Sequence, residues 1–600
     1  MLRSLTQGNL RPKFEMAHQT VLWLILFAFL TIGWRQANAA TFDGPAELPR
    51  VYLQSLMAQT PAPGKTWYVP AGTSLQTTLK SVRCGDTISL QAGATFTGNF
   101  TFPAMGCDDQ HWIIVRTSAP NSALPPEGTR LTPCYAGVSA LPGRPPLNCK
   151  STSVVTAKIV ANWTGGAIIF AAGATHYRFV GLEITRLPAA SQLPNVYQLA
   201  SAMPGPADHI IFDRVWMHGT AQDDTGHGFR MSNIANAAVV DSYLNDFHCV
   251  AITGTCTDSQ AISGGNGGFP GGPYKIVNNF LEASGENIMF GGGPGPAVPA
   301  DIEIRRNHFF KPLTWMQGQT GYVGGKSGHP FVVKNLFELK NAQRLLLEGN
   351  ILEHSWGGFT QVGFGILFTP RGSWAPVQDI TVRYNQVSHV AAGMQLAATR
   401  NPENGVWVDS LAAQRWSIHD DVIDDVNGAF YKGPGIVFQI STSMVTRSLN
   451  NLTINHITGF ADPSHGVLSL GGSNNLPKAS SIDITNSIYL AGKYPVWSTG
   501  ATNACAISGQ PQNSFNACWN GYTVTANALI GTTSQPPNQL WPNGNYFPAN
   551  PVAVQFVNFN NGNGGDYHLQ SGSPYKKMAT DGKDLGADIT ALQAATSGVY

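Results

Sequence analysis

The chain has 600 residues, only 12% of them charged, with a net charge of +1. That balance leaves no basic footprint for nucleic acid. At 43% hydrophobic, with 65 glycines and 39 prolines, it has material for a long, loop-rich core.

Residues 1–39 read as an address rather than as structure. Arg3, Arg11 and Lys13 precede the apolar stretch VLWLILFAFLTIG, and Ala37-Asn38-Ala39 offers a small-residue cleavage site. The stretch falls short of the ~20 residues that span a bilayer. The expectation is a cleaved signal peptide, with an uncleaved anchor as the alternative. The mature protein is then secreted or periplasmic, with no membrane contact after cleavage. Residues 40–65 read as a linker. In VPAGTSLQTTLKSV, Ser74 is placed to cap a short amphipathic helix with Leu75, Leu79 and Val82 inward.

From there one phrase recurs. IIFDRVWMHG, AVVDSYLNDFH, YKIVNNFLEASG, DIEIRRNHFFKP, LLLEGNILEH, ITVRYNQVSHV, WSIHDDVIDD, LTINHITGF and SIDITNSIYL each give an alternating strand, a small turn and the start of another strand. The turn positions read as Asp213, Asp241, Asn278, Arg306, Gly349, Tyr384, Asp420, Asn455 and Asn486, at gaps inside the roughly 20–50 residue window of solenoids. Small polar residues at such a turn can stack in a hydrogen-bonded ladder. The segment DYHLQSGSPYKKMATDGKDLGADITAL reads as the closing cap, leaving 593–600 as a tail. The eight cysteines fall in neighbouring pairs, and local pairing gives Cys84–Cys107, Cys134–Cys149, Cys249–Cys256 and Cys505–Cys518. With both ends capped, a monomer is expected.

The opening and closing phrases, with the coil repeat between them, resemble the pectate-lyase-like right-handed parallel β-helix proteins over residues 66–592. The resemblance implies an all-β, single-stranded right-handed parallel β-helix with a short N-terminal capping helix and long loops. It is weak for activity, because the fold hosts lyases, hydrolases, epimerases and adhesins.

Such a fold offers flat outer faces suited to a polysaccharide. Aligning GFRMSN, ENIMFGG, LFELKNA, GILFTPR and GMQLAAT by their inward apolar residues leaves Asn287, Met289, Glu338, Lys340, Leu367, Thr369, Arg371 and Gln395 facing out, with Arg230 further back. Lys340 and Arg371 then lie about 8 Å apart on neighbouring coils. β-Elimination from a uronic acid needs a base for the proton beside a carboxylate and a cation to neutralise that carboxylate. ELKNAQRLLLEGNILEH is similar to the lysine-bearing coil of the chondroitinase-B-type and alginate lyases. The resemblance puts Lys340 as base and Arg371 as neutralising group; on the same face Glu338, Asn287 and Glu286 are candidate oxygen ligands for calcium. The chain departs from that family where a pair of glutamates stands upstream of the lysine, having Lys334 and Asn335 there.

Of the aromatic residues in or beside long loops (Trp216, Trp315, Tyr322, Trp356, Phe359, Trp374 and Trp407), Trp356 and Trp374 are taken with Arg230 and Gln395 as substrate-binding candidates. Asp223, Asp224 and His227 hold the pieces of a polygalacturonase site but sit on one loop, which argues against that chemistry. The expected activity is a polysaccharide lyase acting on a uronate-containing polymer. A glycoside hydrolase or epimerase, or a non-catalytic glycan-binding surface protein, are the alternatives.

Overall fold

Each repeat forms one coil of three short strands, and each strand pairs in parallel with its counterpart one coil away. Ala207–Asp213 pairs with Ile234–Val240, Trp216–His218 with Tyr243–Phe247, and Asp224–Arg230 with Gln260–Gly264. Continued along the axis, these become three sheets of 14, 13 and 12 strands. The molecule is a parallel β-helix, with the right hand that parallel crossovers favour. The computed structural model describes residues 41–600 apart from 189–194, 203–204, 251–255, 257, 270, 360, 501 and 533–539. The expected signal peptide, residues 1–39, therefore lies outside the described residues.

Between the first and second sheets the chain turns in two residues. The first is left-handed at Asp241, Asn278, Arg306, Gly349, Tyr384, Asp420 and Asn486, as the repeat suggests. In two coils it lies one position later, at Arg214 and His456 rather than at Asp213 and Asn455. The polar ladder is also displaced from the expected position. It is built by the second turn residue, which points inward: Asn279 donates through backbone and side chain to Asn307 Oδ1, and the pattern continues through Asn350 and Asn385 to Asp421. Above it the core is apolar, with Phe179 stacked on Phe212 at 4.7 Å.

The N-terminal helix spans Leu75–Leu79; Ser74 accepts from Thr77 N, and Leu75, Leu79 and Val82 are buried. All four cysteine pairs are disulfide-bonded as expected. The two chain ends differ from expectation. The coil stack closes at its far end on Phe515, Trp519 and Trp541, with Phe515 stacked on Trp519. The segment containing DYHLQSGSPYKK folds back instead over the outside of the second sheet. There Phe556 and Tyr567 pack on Phe460, and Arg306 donates to the Ala595 and Ser597 carbonyls.

Residues 42–60 are likewise no free linker. They lie along the first sheet, with Asp43 on Arg383 and His419, Glu47 N on Asp379 and the Ser55 carbonyl on Arg178.

Candidate active site

The outer face of the third sheet presents rows of side chains, because alternate residues of each strand are committed to the core. One row runs Arg230, Ser263, Met289, Glu338, Leu367, Gln395, each paired with the next in register. Two residues further along lie Lys340 and Thr369, and Arg371 N donates to the Lys340 carbonyl at 2.9 Å. Over these rows lies a cleft in two contiguous parts of 540 and 430 Å³, sharing Lys334, Lys340 and Arg371 as lining. The cleft follows seven coils, from Asp224–Arg230 to Phe438–Thr442, a length of about 30 Å at ~4.8 Å per coil. Gly292 forms part of one wall; a Cβ there would come within 3.1 Å of the Lys340 side chain.

The cleft is cationic although the chain is nearly neutral. Five cations line it (Arg230, Lys334, Lys340, Arg371 and Arg400) against two carboxylates, Asp258 and Glu338. Lys340 is buried to its tip, with Nζ 3.2 Å from Glu338 Oε1 and 3.2 Å from the Met289 sulfur. Burial pushes the Glu338 carboxyl up, but Lys340 and the Thr369 hydroxyl more than reverse this and hold it below its ordinary range. Burial likewise pushes the Lys334 amine down, and Glu286 and Asp258 more than reverse it. Lys334 is therefore a fixed ammonium. Arg371 is exposed and makes no side-chain hydrogen bond or ion pair with any described residue.

The oxygen set expected for calcium is already engaged. Asn287 is turned away from the cleft, donating to the Leu281 and Phe310 carbonyls and accepting from the Lys311 ammonium. Glu338 accepts from Asn335 and Thr369, one on each oxygen. Glu286 Oε2 accepts from Gln260, and its Oε1 faces Lys334 at 3.7 Å. Calcium takes six to eight oxygens; these residues hold an ammonium among them instead and do not fit the ion.

Arg230 and Gln395 line the cleft, Arg230 lying over the Tyr197 ring. The two tryptophans chosen from the sequence do not. Trp356 is buried with Trp315, Phe331 and Tyr431 in a separate apolar cluster, and Trp374 is half-buried beside Gly372 outside the cleft. The exposed rings over the cleft are Tyr197 and Trp407, 42% and 56% accessible, at its two ends. Trp407 sits on an antiparallel hairpin, Arg400–Glu403 with Val406–Asp409, and carries Arg400 over its face.

His227, set aside in the sequence together with Asp223 and Asp224, belongs to the cleft. It lines the cleft beneath Tyr197, and burial drives its imidazole down to about 3, so it is neutral there. The adjoining aspartates do not reach the cleft: Asp223 pairs with Lys326, and Asp224 accepts from Val250 N.

No family model matches the sequence, and no curated protein does. Among solved structures, it is similar to the pectate lyase Pel9A (12% identical, TM-score 0.36, over 88% of this chain and 97% of that one). The PL6-family alginate lyase AlyGC is 10% identical at TM-score 0.42, over 87% and 58%. The catalytic domain of a GH87 α-1,3-glucanase, in complex with tetrasaccharides, is 9% identical at 0.44, over 80% and 70%. These likenesses are of fold alone.

Proposed function

We propose that the protein is a carbohydrate-active enzyme of the extracellular or periplasmic space, a lyase that cleaves a uronate-containing polysaccharide by β-elimination. The carrying observation is the unpaired Arg371 guanidinium beside Lys340 in a long cleft with surplus positive charge. A polymer bearing carboxylates complements that surplus, and the flanking Tyr197 and Trp407 rings suit sugar faces. Arg371 meets the carboxylate of the reacting sugar and stabilises the negative charge that develops there.

Lys340 takes the proton from the carbon beside that carboxylate. The electron pair forms a carbon–carbon double bond, the glycosidic carbon–oxygen bond at the next carbon breaks, and the leaving oxygen is protonated by water. Glu338 positions Lys340. Lys334 supplies fixed positive charge where a metal ion had been expected, so the reaction is read as metal-free. Four disulfides suit an oxidising compartment. No helix among the described residues is long and apolar enough to cross a membrane.

The test is near-ultraviolet absorbance of the unsaturated product while mature protein is incubated with alginate, pectate or glycosaminoglycans. The expected outcome is a rise with one polymer that persists in chelator. In Lys340→Ala it should fall by about 10²–10⁴, the usual worth of a general base. Reducing ends without absorbance would make it a hydrolase, and binding without either product a glycan-binding protein.

A further inference from the structure

Far from the cleft, where the N-terminal cap meets the first sheet, two histidines and an aspartate converge. His176 and His209 occupy the same position on successive coils. Pairing runs Thr175 to Asp208 and then Tyr177 to Ile210 in unbroken register, so the two histidines lie opposite each other, each with a left-handed backbone at φ of 59° and 51°. Their rings stack at 4.3 Å with 6° between planes, and the Trp112 ring stands edge-on to both.

Asp109 Oδ1 lies 3.1 Å from His176 Nε2 and 3.8 Å from His209 Nε2, and the three ligand atoms all lie within 4.8 Å of one another. The other ring nitrogens are also placed: Nδ1 of His176 is 2.7 Å from the Thr175 hydroxyl, and Nδ1 of His209 is 3.0 Å from Asp208 Oδ1. Asn236 in turn donates to Asp208.

We propose that Asp109, His176 and His209 bind one divalent transition-metal ion of the zinc type. Two imidazoles and a carboxylate are a donor set that zinc accepts, with metal–ligand bonds near 2.0–2.2 Å and hence ligand separations of about 3.3 Å in a tetrahedron. The two separations from Asp109 straddle that value, so small side-chain rotations bring the ligands onto the ion. Thr175 stands where an outer partner orients a histidine ligand and fixes which nitrogen faces the metal, and the Asp208 carboxylate lies beside the other histidine without a hydrogen bond to its ring. Asp109 is largely exposed, so the fourth position is open to water. The site clips the loop following Cys107, itself bonded to Cys84 in the cap, onto the sheet. It is a stabilising clip, independent of the polysaccharide reading.

The experiment is equilibrium dialysis of chelator-stripped, disulfide-intact protein against zinc chloride, with metal analysis of the retained protein and its thermal unfolding. The wild type should hold one zinc and unfold at a higher temperature with zinc than in chelator. His176→Asn/His209→Asn keeps residues that tolerate the left-handed backbone. Loss of an outer partner alone costs about 10–100-fold in affinity, so loss of two ligands should exceed about a hundredfold. Should that variant fail to fold, Asp109→Ala on the surface carries the same expectation of weakened binding. A wild type that retains no zinc, or variants that bind and respond as the wild type does, would overturn the site.

Discussion

Asp421 occupies a rung of the internal ladder where four preceding coils place asparagine. Its Oδ1 accepts twice from Asn385, while its buried Oδ2 meets no donor among the described residues. Burial therefore pushes the carboxyl up to about 7 in spite of those hydrogen bonds. The folded state holds this proton more tightly than the unfolded chain, so stability falls as pH rises from about 4 to about 7 and then levels off. Asp421→Asn removes the charge and offers an amide where Asn385 uses its own to reach the Leu347 carbonyl. The variant should be more stable by about 1–3 kcal/mol above pH ~7 and nearly unchanged near pH ~4, in denaturant melts at both values.

Period-two alternation accounts for which side chains line the cleft. Lys340 and Arg371 face the cleft for that reason. Alternation breaks at Asn287, the second residue of a strand that starts at a corner with only Ser284 and Gly285 between two sheets. Parity counted along a strand does not survive such a bend, and the side chain ends inside.

At the scale of elements, the loops decide what the coils cannot. The hairpin carrying Trp407 projects from the coil after Arg371 and brings the exposed ring to the cleft. Its aromatic residue was visible in the sequence, but nothing in coil periodicity distinguishes it from Trp356, which closes an apolar cluster. A stacking contact is worth about 0.5–1.5 kcal/mol. Trp407→Ala should thus raise KM several-fold, to about tenfold, with kcat little changed, in initial rates on the cleaved polymer.

The N-terminal strap is governed by a different contact. His419 bridges Asp43 and Asp420; burial would lower its pKa, but the two carboxylates raise it to about 9. This stabilisation is complete below the unfolded histidine value of about 6.5 and disappears as pH rises through about 9. Hydrogen exchange at residues 42–47 should accelerate across that upper range, and His419→Gln should exchange quickly at neutral pH already.

At the scale of the molecule, the solenoid was legible almost throughout, because coil after coil repeats inward apolar residues and a left-handed turn, and most add a polar rung. The chain ends were not, because they do not repeat. The cap-like phrase near the C-terminus is apolar and turn-rich for another reason: it covers Val422, Phe460 and Ile488 on the outside of the second sheet.

A plain stack of coils has a stability that is a sum of neighbouring terms, and it can fray from either tip. Here Asp43 reaches the coil of His419 while Ser55 reaches that of Arg178, and Arg306 is tied to Ala595. These long-distance stitches couple coils that never touch, which converts a one-dimensional array into a cooperative body. They also impose an order on biogenesis: the second sheet keeps an apolar flank uncovered until residues 554–592 have been synthesised.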